Sequence, residues 1–539
     1  MASKKLITLG YILVFWGALP GILAALAVWG QRLFEQRLQL PKLFAAGILL
    51  AAASGIMLAL SIAQYTRASG NLPISAFPPH KLIRTGVFGI WRHPIYLFSV
   101  LFFSGAGVIF WPAGFILVAF PALAVGTLLY AKVEEAGLEK RFGSAYDGHR
   151  RQTAILVPRL FRIIRPLFAV LSRIFFRFQV SGRENGDLVP PFFVISAHRC
   201  YLDPFFISLA LKVPVYFITT FEMFRNPTSR FIFSRLLALP KKRYKPDLRN
   251  ALDIRRRLLE ECAIGIFPEA ERSWTGAMIA FKPEALKLLR MYPDIPVLPV
   301  RLEGAYAVWP RWALGPRRAR VSVSIEKRIF AGRVESSAEL EARLSRLIEP
   351  RRASDTPLRP IAAGGIESVI YRCPDCLSFD SIQSGKGRDF RCSNCVARFE
   401  LFSDFSIQKI GHDVRASLES VSRRIFVGPE NLIAAPAPGV TGARAELAVE
   451  KRGRLKVIGT GRLILSTRDV TFKSGEPLVQ IDLESVRAVV IEGARKLQIY
   501  GGRLAYLFQF TLVDQSVLKW QYLIVEAVRR RLGFSPSTA

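Results

Sequence analysis

Three stretches without a charged residue constrain this chain more than any other feature. They run from Leu6 to Gln31, from Leu43 to Thr66 and from Pro94 to Ala131. About 20 apolar residues in a helix cross the hydrocarbon core of a bilayer, so each of the first two stretches predicts one transmembrane helix. The third has 38 residues and is interrupted by Trp111-Pro112-Ala113-Gly114. It predicts a helical hairpin of two somewhat shorter spans.

Basic residues beside these stretches predict an orientation. They flank the hairpin on both sides and precede the first stretch: Lys4, Lys5, Lys81, Arg84, Arg92, Lys132, Lys140 and Arg141. The positive-inside rule places such residues in the cytoplasm. The first stretch is too long for the core of a signal peptide and has no convincing small-residue cleavage site. We therefore expect four crossings and an integral membrane protein with cytoplasmic catalytic domains, in the inner membrane if the cell is bacterial.

Charge and composition narrow the class of partners. The chain has 539 residues, is 51% hydrophobic and yet has a formal net charge of +33. Together these values favour a membrane protein that faces anionic lipid, or an enzyme of phosphorylated substrates. Nucleic acid is the competing partner for such a charge. We do not expect it, because the sequence has no groove-reading motif.

One basic segment follows the predicted spans. From Gly148 to Arg183 there are eight Arg and no Asp or Glu. Five of these recur among Leu, Ile and Phe at helical spacing: Arg159, Arg162, Arg165, Arg173 and Arg177. We predict that Pro166 splits the stretch into two short helices and that residues 159–183 lie in an anionic interface. A merely solvated face would normally mix the two signs of charge.

A histidine and an aspartate stand after the first of three apolar runs. Pro191 to Ser196 reads as a buried strand that ends just before His198 and Asp203. An imidazole held by a carboxylate is a general base for an alcohol, although an isolated pair at this spacing is more often structural. The second run, Cys262 to Phe267, leads to Glu269, Arg272 and Ser273, and the third is Ile295 to Val300.

In this order the three blocks resemble those of the glycerolipid acyltransferase family, over roughly residues 175–330. Cys200 stands where that family usually has Ser, and Ala270 where it usually has Gly. The resemblance implies that His198 is the general base and Asp203 its partner, with acyl-CoA or acyl-ACP as donor and a lysophospholipid or similar hydroxyl as acceptor. It also places acceptor binding in Phe221 to Pro227 and Leu239 to Arg243. The residues expected to bind substrate are Glu269, Arg272, Ser273, Lys242 and Arg243.

The membrane segment has its own motif. Arg92-His-Pro-Ile-Tyr96 precedes the hairpin, and Glu134 and Glu135 follow it. With the loop before them, these residues resemble the isoprenylcysteine carboxyl methyltransferase and phospholipid methyltransferase superfamily, over roughly residues 45–158. The resemblance implies S-adenosylmethionine as methyl donor, bound by Arg92, His93, Tyr96, Gly105, Glu134 and Glu135. The alternative is an interfacial charge belt on an inactive membrane anchor. Gly105 also suits close helix packing.

Four of the six cysteines form two Cys-x-x-Cys pairs, Cys373 with Cys376 and Cys392 with Cys395. Such pairs favour metal in a reducing compartment over disulfides. Their separation lies within the range of structural zinc sites. Four thiolates leave no position open for catalysis, so we predict a structural zinc ribbon. A redox pair is the alternative, and no thioredoxin-like pattern supports it.

The C-terminal region, from Ala443 onward, alternates short β-rich runs and ends in an amphipathic helix from Lys519 to Leu532. This order resembles a pleckstrin-homology or GRAM-like domain, whose task would be lipid sensing or packing. The fold class expected is multidomain: an α-helical transmembrane bundle, an α/β acyltransferase domain, a small four-cysteine zinc ribbon and a mainly-β domain. The expected boundaries are 1–158, 159–183, 184–335, 336–366 (helix and linker), 367–405 and 425–539.

The main interpretation is a bifunctional membrane enzyme of lipid metabolism that has acyltransferase and methyltransferase activities. Two alternatives stay open. One is an acyltransferase whose N-terminal segment is only an anchor, and the other is a lipid-binding scaffold without activity. Besides lipids, acyl carrier protein is a candidate partner.

Overall fold

The computed structural model of the chain describes residues 2–34, 44–73, 81–143, 146, 150, 153, 160–243, 247–334, 336–350, 361–426, 440–451, 454–502, 504–511 and 516–533. They form two compact units, Met1–Ile164 and Arg165–Ala539. Arg159 of the predicted interfacial segment lies outside the described residues.

The first unit is helical. Its helices are α1 (Ala2–Ile12), α2 (Leu19–Phe34), α3 (Phe44–Ser69), α4 (Pro94–Phe110), α5 (Pro112–Gly114) and α6 (Phe120–Phe142), with π-helical turns at Leu13–Ala18 and Phe115–Ala119. Among the described residues, three continuous helical stretches are long and apolar enough to cross a membrane: Thr8–Phe34, Phe44–Ser69 and Pro112–Phe142. Helix α4 has 17 residues. The predicted hairpin is therefore present with unequal arms, because the chain breaks at Trp111 and the second arm then runs on past its apolar part.

Helices α3 and α4 pack closely through glycines. A Cβ built on Gly105 would lie 2.8 Å from the carbonyl oxygen of Gly47 and 2.7 Å from the backbone nitrogen of Ala51. Only glycine permits this approach between helix backbones. Gly105, which the methyltransferase resemblance assigns to the cofactor pocket, thus has a packing role in this structure.

Helix α7 spans Leu160–Phe176, with Pro166 inside it, and most of its residues belong to the second unit. The prediction of two short helices is therefore wrong. Neighbouring contacts hold the helix across the proline: Arg165 donates from Nε to the carbonyl of Ser208 at 3.1 Å and from Nη2 to that of Leu211 at 3.0 Å. Phe168 lies 5.3 Å from Phe206, ring centre to ring centre. Such packing compensates for the missing backbone donor of proline.

An eight-stranded sheet forms the core of the acyltransferase region, in the order β1-β7-β6-β2-β5-β3-β4, with β8 paired to β6. The strands are β1 (Gln179–Ser181), β2 (Phe192–Ile195), β3 (Val215–Thr220), β4 (Ala238–Lys241), β5 (Ala263–Ile266), β6 (Pro296–Glu303), β7 (Ser322–Ile325) and β8 (Ile329–Phe330). Helices of this region are α8 (Asp203–Ala210), α9 (Pro227–Arg235), α10 (Leu248–Leu259), α11 (Pro283–Arg290), α12 (Ala305–Val308) and α13 (Ser337–Ile348). The central strands β6, β2, β5, β3 and β4 are parallel.

Two antiparallel sheets follow. Five strands, β9 (Ile382–Ser384), β10 (Asp389–Cys392), β11 (Arg398–Leu401), β12 (Ser406–Lys409) and β13 (Arg415–Ser417), surround the cysteine pairs and precede α14 (Leu418–Phe426). Seven more strands form a half-barrel in the order β17-β16-β15-β14-β20-β19-β18. These are β14 (Val440–Lys451), β15 (Arg454–Leu465), β16 (Asp469–Ser474), β17 (Glu476–Asp482), β18 (Val486–Glu492), β19 (Lys496–Gly501) and β20 (Leu504–Phe510). The predicted terminal helix is α15 (Val517–Leu532), and its Trp520 is buried.

The five-stranded sheet that carries the cysteine pairs, called the ribbon below, shares one continuous hydrophobic core with the half-barrel and the α/β sheet. Phe405 of the ribbon meets Tyr306 edge to face, at 4.7 Å between ring centres. Ser516, which caps α15, donates to the carbonyl of Ser368 at 2.7 Å. Lys519 of α15 is paired with Asp380 of the ribbon. These regions are therefore parts of one packed body rather than separate modules on linkers.

Candidate functional site

The candidate active site lies where parallel strands end. His198 follows β2, Glu269 follows β5 and Arg225 follows β3, while Lys242 follows β4. Because the carboxyl ends of parallel strands meet at one edge of a sheet, the fold brings these residues together. Phe267 connects two of the strand ends, since its ring stacks on His198 at 4.2 Å and on Phe217 at 5.5 Å between centres.

His198 and Asp203 form the predicted pair. Nδ1 of the imidazole lies 2.8 Å from Oδ2 of Asp203, whose side chain is fully buried. The same oxygen accepts the backbone N–H groups of Arg199 at 2.7 Å and Cys200 at 2.8 Å. Three donors fix the carboxylate, and the carboxylate fixes the ring with Nε2 as the nitrogen left for a substrate.

The imidazole is kept neutral by its surroundings. Burial lowers the pKa of His198 below its ordinary value and, although Asp203 opposes this, Arg272 and Arg311 act in the same direction as burial. The side chain is still 21% exposed. A neutral imidazole with one accessible nitrogen can accept a proton, which is what a general base requires.

Glu269 and Ser273 hold the backbone of His198 rather than pointing outward. Glu269 is fully buried. Its Oε2 accepts the N–H of His198 at 2.7 Å, and its Oε1 accepts that of Ile279 at 3.0 Å. The N–H of Ser273 donates to the carbonyl of His198 at 3.1 Å. Burial raises the pKa of Glu269 to about 7, although these donors and Arg199 oppose the rise.

Cations line the same edge. Arg272 is 8% exposed and its guanidinium lies 3.2 Å from the ring centre of Tyr201. Lys242 is exposed and lies 5.6 Å from the ring centre of Phe221. The Nη1 atoms of Arg272 and Arg243 are buried and have no hydrogen-bond partner among the described residues. Buried guanidinium N–H groups without a partner favour an anionic ligand.

The two departures from the family pattern have different structural consequences. Cys200 is buried, its Sγ accepts the N–H of Leu202 at 3.3 Å, and burial raises the pKa of its thiol. It is therefore not a nucleophile. Ala270 has a φ of 59°, in the left-handed region that glycine adopts without steric cost.

In the membrane unit the hairpin brings its predicted residues together. Arg92 Nη1 lies 2.8 Å from Glu135 Oε1, while His93 reaches Glu134 through Nδ1 at 3.2 Å and Glu135 through Nε2 at 3.3 Å. The ring of Tyr96 stacks on His93, 5.5 Å between centres. Burial lowers the pKa of His93, but the two carboxylates outweigh it and raise the pKa above its ordinary value.

The four cysteines converge. Their Sγ atoms all lie within 4.8 Å of one another, and the Cys373–Cys395 and Cys376–Cys392 distances are both 3.7 Å. A tetrahedral zinc ion with Zn–S bonds of about 2.3 Å separates its sulfurs by about 3.8 Å. The Sγ of Cys373 accepts the N–H of Asp375 at 3.4 Å and that of Cys392 accepts Asn394 at 3.3 Å. Four convergent thiols, with two of their sulfur–sulfur distances close to that value, form a donor set that fits a metal ion.

Two family models match this chain. The phospholipid methyltransferase model matches residues 43–145, and the acyltransferase model matches residues 177–303. The chain therefore joins a segment similar to phospholipid methyltransferases to a segment similar to acyltransferases. Both matched segments are thus similar to transferase families, and the long apolar helices lie in and before the first of them.

Comparisons of this chain with solved structures and with curated proteins add little to the two family matches. Among solved structures the chain is similar to the 1-acyl-sn-glycerophosphate (LPA) acyltransferase PlsC from Thermotoga maritima, at 21% identity and a TM-score of 0.31, covering 36% of this chain and 78% of that one. A TM-score this low supports no further conclusion. A search among curated proteins finds no match.

The sequence did not indicate several residues at the edge. Arg311 is buried and donates to Glu271 at 3.0 Å and to the carbonyl of Arg272 at 3.2 Å. Its only signal was its position after the third apolar run. Arg225 lay in the predicted acceptor region, but its ion pair with Glu450 joins residues 225 positions apart, and no local pattern indicates such a pair.

Proposed function

We propose that the acyltransferase segment transfers an acyl group from a thioester, acyl-CoA or acyl-ACP, to the hydroxyl of a lysophospholipid or glycerol-phosphate-type acceptor. The observation that supports it most directly is the imidazole of His198, held by Asp203 at 2.8 Å and kept neutral at the edge of the sheet. The cations at the same edge suit a phosphorylated acceptor.

In this mechanism Nε2 of His198 takes the proton of the acceptor hydroxyl as its oxygen attacks the thioester carbonyl. Asp203 stabilises the imidazolium that forms. The tetrahedral intermediate then collapses, the C–S bond breaks, and the imidazolium returns the proton to the thiolate. Glu269 and Ser273 position the backbone of His198, whereas Arg272, Lys242 and Arg243 bind the phosphate.

Helix α7 supports a position on the membrane. Leu167, Val170 and Ile174 are 58%, 53% and 62% exposed and lie on one helical face, while Phe168 and Phe176 pack against Phe206 on the other. An exposed apolar stripe on a helix with basic residues is typical of an interfacial helix. Its lipid contact would keep the site beside its acceptor. The positive-inside rule places that leaflet on the cytoplasmic side.

For the first segment we propose an S-adenosylmethionine-dependent methyltransferase that acts on a lipid. Glu134 and Glu135 suit the cofactor's ammonium and sulfonium groups, and Arg92 and His93 its carboxylate. When bound, the cofactor supplies an electrophilic methyl group. The four residues form a compact polar cluster around His93, which is 4% exposed at its side chain. An anchor would not need this convergence.

We further propose that Cys373, Cys376, Cys392 and Cys395 hold one structural zinc ion. Sulfur–sulfur distances of 3.7 Å support this assignment, as do the backbone N–H groups that point at two of the sulfurs. All four positions are thiols, so no coordination site is left for a substrate.

Acyl transfer is tested with full-length protein in detergent, labelled acyl-CoA or acyl-ACP, and lysophosphatidic acid or glycerol 3-phosphate as acceptor. Wild type should form an acylated lipid, and His198→Ala should lose this activity while keeping its thermal unfolding midpoint. Lys212→Ala is a matched control, because Lys212 is an exposed residue paired with Asp187 away from the site. Equal activity of wild type and His198→Ala would contradict the mechanism.

A further inference from the structure

The half-barrel contacts the acceptor side of the α/β sheet through enclosed ion pairs. Arg225 lies 2.6 Å through Nη2 from Glu450 on β14 and 3.4 Å through Nη1 from Glu492, the last residue of β18. The three side chains are 12% to 19% exposed. Glu450 is itself fixed, because Gln498 donates to it at 3.3 Å and Tyr500 donates to Gln498 at 3.0 Å.

A second contact comes from the turn between β18 and β19. Arg311 donates to the carbonyls of Ile491 and Gly493, each at 3.2 Å. The same guanidinium donates to Glu271 and to the carbonyl of Arg272. One edge of the half-barrel thus contacts the loop after β3 and, through Arg311, the loop after β5.

An interface that only packed the half-barrel against the α/β sheet would not need the buried charges found at this contact. Glu222, Glu450 and Glu492 surround the single guanidinium of Arg225, with Glu222 at 4.0 Å. Desolvating such groups costs free energy that an apolar interface would avoid. The arrangement fixes the orientation of the Arg225 side chain. Because its planar guanidinium bridges two carboxylates, the loop that carries Arg225 is held in one position.

We propose that the half-barrel is a working part of the acyltransferase, in which Glu450 and Glu492 are positioning residues that hold Arg225 and its loop against the acceptor. This inference rests on the proposed acyl transfer. Substrate binding, rather than the proton transfer at His198, then depends on a domain more than 200 residues further along the chain.

The test is a double-mutant cycle in full-length protein, with acceptor KM, donor KM and kcat measured separately. Arg225→Gln and Glu450→Gln should each raise the acceptor KM about tenfold, equivalent to about 1.4 kcal/mol. Donor KM and kcat should stay within about twofold. The acceptor KM of the double variant should be no higher than that of Arg225→Gln alone, because both changes remove the same contact. Arg225→Lys should recover only part of the loss, since an ammonium cannot bridge both carboxylates.

Glu446→Gln on the same strand is the matched control, because Glu446 faces the neutral partners Thr460 and Gln509 in register. It should leave all three constants unchanged. An unchanged acceptor KM in Arg225→Gln and Glu450→Gln would overturn the inference. Additive effects of the two changes in the double variant, or a change in kcat instead of the acceptor KM, would also overturn it. Absence of acyl transfer in wild type would instead overturn the proposed function, and the inference with it.

Discussion

At the scale of single residues, the proton acceptor sets the pH dependence of the proposed reaction. The imidazole of His198 must be neutral to accept a proton, so activity is present above its pKa and declines as the pH falls through it. Because burial and the neighbouring Arg272 and Arg311 lower that pKa, we predict that the acidic limb of kcat lies below about pH 6.5, the ordinary value for His. A limb above that value would contradict the assignment.

Asp203 opposes this lowering, so its charge has two separable effects. We predict that Asp203→Asn lowers kcat by about 10²–10⁴-fold, because the imidazolium loses its partner. The same change should move the acidic limb further down, since the carboxylate raises the pKa of His198. A pH–rate profile of the residual activity checks the sign. An upward shift would show that Asp203 does not act on the imidazole.

Ala270 gives a prediction of the opposite kind, a gain in stability. Its φ of 59° costs an L-residue about 1–2 kcal/mol of stability. Glycine removes this cost but itself lowers stability by about 0.4–1 kcal/mol, because it increases the conformational entropy of the unfolded chain. Ala270→Gly should therefore stabilise the folded protein by up to about 1.6 kcal/mol. Thermal unfolding should show a higher midpoint, with Ala280→Gly, at an exposed position with ordinary φ, as the control.

At this scale, the site residues that could be predicted from the sequence are those that directly follow a recognisable strand. A strand that ends just before His198, with an aspartate five residues on, suggested the pair, and the three ordered family blocks then supported it. The strand pattern does not show the environment of Glu269: the family resemblance assigns it to the substrate, and in this structure it is fully buried and accepts two backbone N–H groups. Whether a carboxylate at a strand end turns outward or inward depends on loops that the local pattern does not specify.

At the scale of elements, the ribbon tests whether metal and packing are coupled. We predict one zinc per chain, lost in Cys376→Ser, with a lower thermal midpoint because Phe405 of the ribbon packs on Tyr306 in the shared core. Elemental analysis and a melting curve check both outcomes. Cys262→Ser is the control, since that thiol lies outside the cluster. Zinc-free wild type, purified under reducing conditions, would contradict the assignment.

Helix α7 shows where sequence and structure differ. The basic, apolar pattern predicts helical structure but divides it into two helices, whereas the structure has one. Arg165 of this helix binds backbone carbonyls of the acyltransferase region. The spacing of apolar residues predicts that a helix forms, but it does not specify what each face of the helix contacts. The apolar residues Leu167 and Ile174 remain exposed and define the side that we propose faces lipid.

This side can be tested by activity. We predict that Leu167→Glu combined with Ile174→Glu reduces acyl transfer to an acceptor embedded in vesicles at least about tenfold, because an interfacial helix tolerates charge poorly on its apolar face. Transfer to an acceptor dispersed in detergent should be unchanged. Leu248→Glu, at an exposed site on α10, is the control. Equal losses in both assays would show that this face has a structural role instead.

At the scale of the whole molecule, the order of catalytic segments could be read from the sequence because each segment has a local motif. The joining of the α/β sheet, ribbon and half-barrel into one core could not, because their contacts pair residues far apart in the chain. Phe405 with Tyr306 and Arg225 with Glu450 are examples. Apolar patterning shows that a surface is buried and leaves open which other surface covers it.

The two proposed activities should be independent at the level of their sites. We predict that Glu135→Gln weakens S-adenosylmethionine binding about tenfold or more, because a charge-assisted hydrogen bond contributes about 1.5–3 kcal/mol. Calorimetric titration of the full-length protein measures this change. Glu139→Gln is the matched control, since Glu139 lies on the same helix and pairs with Arg150 at its exposed side. Undetectable cofactor binding to wild type would leave the anchor interpretation.

A dual-label assay tests the bifunctional enzyme most directly. Purified full-length protein in lipid vesicles receives a ¹⁴C-acyl thioester and S-adenosylmethionine with a ³H-methyl group, and the lipid products are separated and counted. We predict that wild type incorporates both labels into lipid, that His198→Ala loses only ¹⁴C and that Glu135→Gln loses only ³H. Wild-type protein that transfers neither label, or variants that lose both together, would contradict two separate active sites in one chain.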